Sequence, residues 1–256
     1  MKAILTYHSI DDGDSPISVS PATFEAHLEA LKASGARVVP LAAIIETRDP
    51  AVAITFDDGF CNFAAEAWPK LRDRGLPATL FVTSGHLGAR NRWGGKTVPG
   101  IPDLPLLSAE ALRDLLQEGL EVGGHSATHP HLPELDAPGL ALEVEGCRER
   151  LEALLGRRIS SFAYPYGSVD RRSHERVSRH YDRAVTTEHR TLTTVNTPWL
   201  LPRLDAYYFR RPESLSGFGS AGFARRVAFR ARLRAWKSRW RGDLCYGGGA
   251  LPGEPR

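Results

Sequence analysis

Short apolar segments alternate with amphipathic segments over most of the chain, and this alternation constrains the fold more than any other feature of the sequence. Segment 51–56 is apolar apart from Thr55, which is typical of a strand buried on both faces of a parallel sheet. Segment 62–74 is predicted to be a helix that ends at Gly75. Repetition of this unit predicts an α/β fold in which crossover helices connect parallel strands.

The number of such units favours a barrel, complete or distorted, over a small doubly wound sheet. Predicted strands are 3–7, 37–40, 51–56, 78–83, 120–124, 160–164 and 183–187, and predicted helices are 20–35, 62–74, 108–118, 140–155 and 171–180. With 256 residues, of which 42% are hydrophobic and 25% charged, the chain is long enough for one sizeable core and is not disordered as a whole.

The cysteines and the apolar segments predict the cellular location. The three cysteines are scattered and form no CxxC pair, which favours a reducing compartment. No apolar stretch is long enough to span a bilayer, and the apolar run at the N-terminus is too short for a signal-peptide core. We therefore expect a cytoplasmic protein.

The C-terminal part has a different character and is predicted to be a separate extension, 216–256, after a barrel domain over 1–215. Residues 221–256 contain nine basic and two acidic residues, a net charge of +7. Segment 221–245 is predicted to be a basic amphipathic helix. Its apolar face is formed by Phe229, Leu233, Trp236, Trp240 and Leu244. Such a helix either lies on an anionic membrane surface, here the inner face, or packs on the barrel with its arginines extended to water. No recognition motif supports nucleic-acid binding.

Two adjacent carboxylates, Asp57 and Asp58, follow the apolar strand 51–56. The carboxyl ends of parallel strands are where such folds build their sites. Neighbouring residues on a strand point to opposite sides, but a tight turn at Gly59 would direct both side chains into one cavity. The alternative is that one aspartate only caps the following helix.

Two histidines, His125 and His129, follow the predicted strand 120–124. At this spacing they meet on one face if the backbone turns helically. Neutral imidazoles are common metal ligands, and two of them with one carboxylate form the open ligand set of catalytic zinc sites. A structural role for the histidines is the alternative.

Two loops add further candidates. In segment 162–167, Pro165 fixes a turn in which Tyr166 and Gly167 expose backbone N–H groups, as an oxyanion hole requires; an ordinary turn is the alternative. Segment 86–107, with Trp93 at its middle, is long for a connection. We interpret it as a lid or groove wall, or else as a tolerated surface insertion.

Together, Thr55–Gly59, His125–His129 and Ala163–Gly167 resemble the motifs of the polysaccharide deacetylase (NodB-homology) family of carbohydrate esterases, over roughly residues 1–210. The resemblance implies a distorted (β/α)7 barrel. It also implies specific roles: Asp57 as general base, Asp58, His125 and His129 as ligands of a divalent metal with zinc as the default, and the Tyr166 N–H as an oxyanion donor.

The sequence departs from this family at two positions. Ala163 occupies the place of an arginine that orients the base, and no histidine after His189 matches the late histidine that serves as general acid. In the branch that contains the poly-N-acetylglucosamine deacetylases, the barrel is circularly permuted and the acid histidine lies near the N-terminus. His8 at the end of the first strand fits that place, although it would otherwise be a core histidine. Arg203 is the best replacement for the missing arginine.

The resemblance implies hydrolysis of the N-acetyl group of a sugar in a polysaccharide, an oligosaccharide or a lipid-linked glycan, with release of acetate. Two other classes stay open. A carboxylate-pair glycosidase needs carboxylates spaced across a glycosidic bond, which the adjacent Asp57 and Asp58 do not provide. A non-catalytic glycan-binding protein on the same scaffold is the second, since fold does not imply function.

Overall fold

The structure, a computed structural model, describes residues 1–48, 50–193 and 196–241. Its strands, in chain order, are β1 (Lys2–Tyr7), β2 (Ser9–Ile10), β3 (Ser18–Val19), β4 (Arg37–Val38), β5 (Ala51–Phe56), β6 (Thr79–Val82), β7 (Glu121–Gly124), β8 (Ser161–Ala163), β9 (Arg183–Val185) and β10 (Leu204–Asp205). All strand pairs formed by these elements are parallel. This agrees with the apolar character of the predicted strands.

The main sheet runs in the order β10, β1, β5, β6, β7, β8, β9, with β4 paired to the first residues of β5. Leu201 pairs with Val185 at the end of β9, and Leu204 pairs with Leu5 of β1. Segment 201–205 therefore connects the two ends of the curved sheet. The predicted α/β fold, a distorted (β/α)7 barrel, is confirmed, and the N-terminal strand β1 lies between β10 and β5.

Helices connect these strands on the outside of the barrel. The α-helices are α1 (Pro21–Ala33), α2 (Trp68–Arg72), α3 (Ala109–Gln117), α4 (Ala137–Ala141), α5 (Cys147–Leu155), α6 (Arg171–His180) and α7 (Ala221–Arg241). Two π-helical turns, Phe63–Ala67 and Leu142–Gly146, lead into α2 and α5, and short 3₁₀ turns occupy Leu41–Ala43, Ser84–His86, Trp93–Gly95, Leu132–Glu134, Pro165–Gly167, Ala206–Phe209 and Pro212–Leu215.

Side-chain caps define where several helices begin. The Ser20 side chain accepts a hydrogen bond from the Thr23 N–H, and Pro21 occupies the first helical position, as predicted. The predicted helix 140–155 begins earlier, at Ala137, because the Asp136 side chain accepts from Gly139 N–H and caps it there. Predicted helix positions thus agree with the structure to within a few residues.

The period-2 alternation of the strands divides the core into two clusters. In β1, Leu5 belongs to the large cluster between the sheet and the helices, whereas Ile4 belongs to a small cluster inside the barrel. Ala53, Phe81 and Ala163 from neighbouring strands share that small cluster.

Helix α7 packs on the barrel through its first turns, where Phe223 and Val227 are buried in the main core. Phe229 and Leu233 are 62% and 43% exposed. The side chains of Trp236, Trp240 and Leu244, which complete the predicted apolar face, lie outside what the structure describes. None of the helices in the described ranges is long and apolar enough to cross a bilayer. The division of the chain at residue 215 stays a prediction.

Candidate active site

The two aspartates lie at the carboxyl end of β5, where the chain makes a sharp turn. Asp57 continues the strand pairing, because its N–H donates to the Tyr7 carbonyl at 2.9 Å. Asp58 and Gly59 then have φ of 72° and 82°, in the left-handed region. Both aspartates are buried. The turn directs the two side chains to different partners within one site, as the sequence suggested.

The two histidines are brought together by a strained turn and not by a helix. Ser126 and His129 have φ of 63° and 65°, so the helical turn considered for this segment does not form. The Ser126 hydroxyl accepts the His129 N–H at 2.9 Å and closes the turn. The Nε2 atoms of His125 and His129 lie 3.2 Å apart. The i, i+4 spacing predicted the meeting of the rings but not the backbone that achieves it.

Asp58 completes a three-residue group that fits a metal ion. Its Oδ1 is 3.5 Å from His125 Nε2 and 3.4 Å from His129 Nε2. Ligand atoms about 2.0–2.1 Å from a tetrahedral zinc ion are about 3.3–3.4 Å apart, so these separations suit a single ion. Among the described residues, Asp58 Oδ1 is buried without a hydrogen-bond partner. A bound cation would satisfy this oxygen.

Hydrogen bonding and burial hold the histidines in a form that can ligate. The Ala163 carbonyl, 2.8 Å from His125 Nδ1, can only accept, so Nδ1 carries the proton and Nε2 faces the site. Burial, with the adjacent His125, lowers the pKa of His129 to about 3 and keeps this ring neutral. Burial opposes the charge on His125 too, but the Asp58 and Asp57 carboxylates outweigh it and raise its pKa. A metal ion that binds His125 would displace a proton from its imidazole.

Asp57 is bound by the fully buried guanidinium of Arg203. Two parallel hydrogen bonds, Nη1 to Oδ1 and Nη2 to Oδ2, are each 2.6 Å long. Arg203 Nε also donates to the Thr186 carbonyl at 3.0 Å. Burial opposes the charge of Asp57, but Arg203 outweighs it and holds the pKa of this carboxyl well below its usual range. Arg203, from segment 201–205, thus contacts the carboxylate that the arginine missing at Ala163 would orient.

His8 lies at the mouth of the site beside Asp57. It follows β1, and its Nε2 is 3.9 Å from Asp57 Oδ2. Its side chain is 23% exposed, unlike the neighbouring carboxylate, so it can reach both the site and solvent. The structure therefore brings His8 to the position that the permuted family branch implied, and its role in proton transfer stays a prediction.

Tyr166 forms one wall of the site. Its φ of 58° turns the chain inside Pro165–Gly167, and its ring meets His129 edge-on at 4.5 Å between centroids. Gly167 is required here, because a Cβ at this position would lie 2.1 Å from Thr187 Oγ1. The turn thus holds the Tyr166 ring beside His129, and the role of the Tyr166 N–H as an oxyanion donor stays a prediction.

Trp93 is the second aromatic residue that packs on His129. Its ring stacks on His129 with centroids 4.5 Å apart and planes 20° apart. The loop that carries it is held closed by Asn91, whose side chain accepts the Leu104 N–H at 2.7 Å, and by ion pairs from Asp103 to Arg90 and Arg92. These contacts favour a groove wall over a tolerated insertion.

Among the described residues, four non-glycine residues have left-handed φ, and all four belong to the three motifs: Asp58, Ser126, His129 and Tyr166. Such conformations cost about 1–3 kcal/mol each and concentrate at functional sites. Glu143, which binds the turn between the two histidines, was not predicted. Its sequence signal is a carboxylate among the apolar positions of helix 140–155.

The family profile described as polysaccharide deacetylase matches residues 45–184, more than half of the chain, so the chain belongs to this family. YxkH of Bacillus subtilis (strain 168) is 26% identical over 193 residues, which are 72% of this chain and 64% of YxkH. A polysaccharide deacetylase structure from Bacillus cereus has a TM-score of 0.66 and 26% identity, over 80% of this chain and 64% of that one. The structure of IcaB from Ammonifex degensii has a TM-score of 0.66 at 22% identity, over 84% and 97% of the two chains, and shares the fold.

The chain spans less than two thirds of the length of YxkH and of the Bacillus cereus protein. The family assignment concerns the shared barrel.

Proposed function

We propose that this protein is a divalent-metal-dependent deacetylase that hydrolyses the N-acetyl group of a sugar in a glycan and releases acetate. The observation that carries the proposal is the convergence of Asp58, His125 and His129 around one point, beside a second carboxylate fixed by Arg203. A glycan-binding protein would need neither a ligand set with a buried oxygen that no described residue hydrogen-bonds nor a charged base next to it.

Asp58, His125 and His129 would hold the metal, with zinc as the default ion. When bound, the metal polarises the acetyl carbonyl and lowers the pKa of a water molecule. Asp57 is ionised throughout the physiological range and accepts the proton of the attacking water. Arg203 keeps both of its oxygens in fixed positions, which reduces the reorganisation needed at the moment of attack.

Attack of water on the acetyl carbon leaves negative charge on the carbonyl oxygen, and the Tyr166 N–H would donate to it. Breakage of the C–N bond requires a proton on the nitrogen, because an amine anion is too poor a leaving group. His8, in its protonated form, would donate that proton. The products are acetate and a free amino sugar.

The rings of Trp93 and Tyr166 both contact His129 and would contact the sugar. Aromatic rings offer large rigid contact area to the C–H faces of a pyranose. The glycan would be polymeric, oligomeric or linked to a lipid.

The test is acetate release from a panel of N-acetylated substrates: a monosaccharide, a series of oligosaccharides and a lipid-linked sugar. We expect metal-loaded protein to release acetate, chelator to abolish the release and added zinc to restore it. Binding of the oligosaccharides without acetate release under any metal would support the non-catalytic alternative. Release of shortened sugars that is insensitive to chelator would indicate a glycosidase.

We also propose that helix α7 contacts an anionic membrane surface, which would place the barrel at the inner membrane face. Two exposed apolar side chains, Phe229 and Leu233, lie among the exposed arginines Arg225, Arg226 and Arg232. Co-sedimentation with phosphatidylglycerol vesicles should be strong and salt-sensitive, weak with phosphatidylcholine vesicles, and reduced by Phe229→Ser with Leu233→Ser. Equal sedimentation of this variant and the wild type would contradict the contact.

A further inference from the structure

Glu143 is a carboxylate at a position where its helix would be expected to carry an apolar side chain. It lies on the π-helical turn Leu142–Gly146, at helical spacing from the buried Leu140 and Cys147. Glu143 is only 8% exposed, whereas the neighbouring Leu142 is 69% exposed. Burial of a charged group requires partners that offset the loss of water. The hydrogen-bond partners of Glu143 therefore indicate which part of the structure it stabilises.

Those partners all belong to one short segment. Oε2 accepts the backbone N–H groups of Ala127 and Thr128, each at 2.8 Å, and Oε1 accepts the Thr128 hydroxyl at 2.6 Å. Both residues lie between His125 and His129 in the chain. A carboxylate has only acceptors, so it matches three donors converging from one turn better than any neutral side chain does.

The segment that Glu143 binds is under backbone strain. Ser126 and His129 are in the left-handed region, which disfavours side chains larger than glycine. The opposite edge of the turn is held by Ser84, whose N–H donates to Ser126 at 3.1 Å, and by Gly85, whose N–H donates to Ala127 at 2.8 Å. The turn is therefore held from two sides, by a loop and by the Glu143 carboxylate.

We propose that Glu143 is a positioning residue for the metal site: it stabilises the strained turn that keeps the Nε2 atoms of His125 and His129 at ligand spacing. The inference rests on the proposed function, because it concerns the same metal ligands. Residues that orient metal ligands typically change metal affinity by about 10–100-fold when they are lost.

Glu143→Gln tests this with little change in shape. The amide removes the negative charge: its oxygen accepts the two backbone N–H groups more weakly than a carboxylate does, and the Thr128 hydroxyl has to turn and accept from the NH2. The matched control is Glu145→Gln on the same π-helical turn, where the carboxylate instead pairs with Arg176 and His180 at 2.6 and 2.8 Å. The readouts are the zinc dissociation constant from competition with a chromogenic chelator, the visible absorption of the cobalt-loaded protein, and thermal unfolding without metal.

We expect Glu143→Gln to weaken zinc binding about 10–100-fold and to alter the cobalt spectrum, while Glu145→Gln leaves both as in the wild type. Equal zinc affinity and spectrum in Glu143→Gln and the wild type would overturn the inference, as would equal weakening in both variants. If Glu143→Gln does not fold, Thr128→Val, which removes only the hydroxyl contact, decides: weaker zinc binding supports the inference and unchanged binding overturns it. A wild type that binds no divalent metal would instead refute the proposed function.

Discussion

Asp57 and Asp58 are neighbours in the chain, but they belong to two sides of the site. The two sides differ in the groups that contact each carboxylate. On the arginine side, formed by Asp57, Arg203 and His8, both oxygens of the carboxylate are bound by one buried guanidinium. On the histidine side, formed by Asp58, His125 and His129, the carboxylate faces two rings, and its Oδ1 has no hydrogen-bond partner among the described residues.

On the arginine side, the protein itself satisfies the charge of the carboxylate. On the histidine side, a bound cation would be needed to do so. The bidentate ion pair of the arginine side satisfies its own charges, so breaking it should disturb folding as well as chemistry. The histidine side carries left-handed φ at Asp58 and His129 and a buried oxygen that has no hydrogen-bond partner in the described part of the chain. Those features are costly to the folded protein alone and are offset when a cation binds.

The largest effect should come from Asp58→Asn, which removes the only anionic ligand of the histidine side. We expect acetate release to fall to background, because the weakly ligating amide leaves two neutral imidazoles to hold the ion. Thermal unfolding of the metal-free protein should change less than in Asp57→Asn, since Asp58 Oδ1 has no hydrogen-bond partner among the described residues. Activity above a tenth of the wild type would contradict this assignment.

Asp57→Asn should lower turnover by about 10²–10⁴-fold, the usual contribution of a general base. It should also lower the free energy of unfolding by about 3–5 kcal/mol, because Arg203 is left buried without its counterion. Kinetics of acetate release and denaturant titration measure the two effects.

The double variant Asp57→Asn with Arg203→Met separates the effect on turnover from the effect on stability. It removes the unpaired charge and should recover part of the stability but none of the activity. Wild-type stability in the single variant would show that the arginine side is not held by this ion pair.

Trp93→Ala should have a smaller effect, confined to substrate binding at the wall of the histidine side. We expect KM to rise about tenfold, equivalent to about 1.4 kcal/mol, while kcat changes little and the metal is retained. Val98→Ala, an exposed apolar residue of the same loop, is the matched control and should leave KM unchanged. Equal KM values for both variants would show that Trp93 does not contribute to substrate binding.

The smallest effect on activity is expected at His27, a buried histidine with no carboxylate among its hydrogen-bond partners. Its Nε2 donates to the Phe209 carbonyl at 2.8 Å and its Nδ1 accepts from the Tyr7 hydroxyl at 2.9 Å. Burial lowers its pKa from 6.5 to about 4. Its neutral form therefore stabilises the fold fully above pH 6.5, and this contribution is lost as the pH falls through 4.

The loss amounts to about 3 kcal/mol over that window, since one pKa unit corresponds to about 1.36 kcal/mol. Denaturant titrations between these pH values should show it in the wild type, and His27→Gln should flatten the slope there. A wild type whose stability does not fall relative to the variant would contradict the pKa shift.

Much of the fold could be predicted because it depends on local patterns. Apolar runs such as 51–56 and caps such as Ser20 act over a few residues, and the strand order then follows from parallel pairing and short connections. The end-to-end connection of the sheet through 201–205 could not be predicted this way, because its pairings join positions far apart in the chain.

The candidate site was predictable as a set of residues and not as a geometry. Spacing indicated His125 and His129, but the left-handed φ of Ser126 is visible only in three dimensions, because serine in sequence gives no sign of it. Glu143 was missed because its contacts cross from a π-helical turn to a loop. Arg203 was found only as a substitute for a missing arginine, and the structure adds its bidentate contact with Asp57.

The most direct test is metal analysis of the wild type, Asp57→Asn and Asp58→Asn, each loaded with zinc, dialysed against metal-free buffer and measured side by side. If the histidine side binds the ion and the arginine side holds only the base, the wild type and Asp57→Asn retain close to stoichiometric zinc while Asp58→Asn retains almost none. Equal zinc content in the two variants would contradict the separation of the two sides and, with it, the proposed roles of the two aspartates.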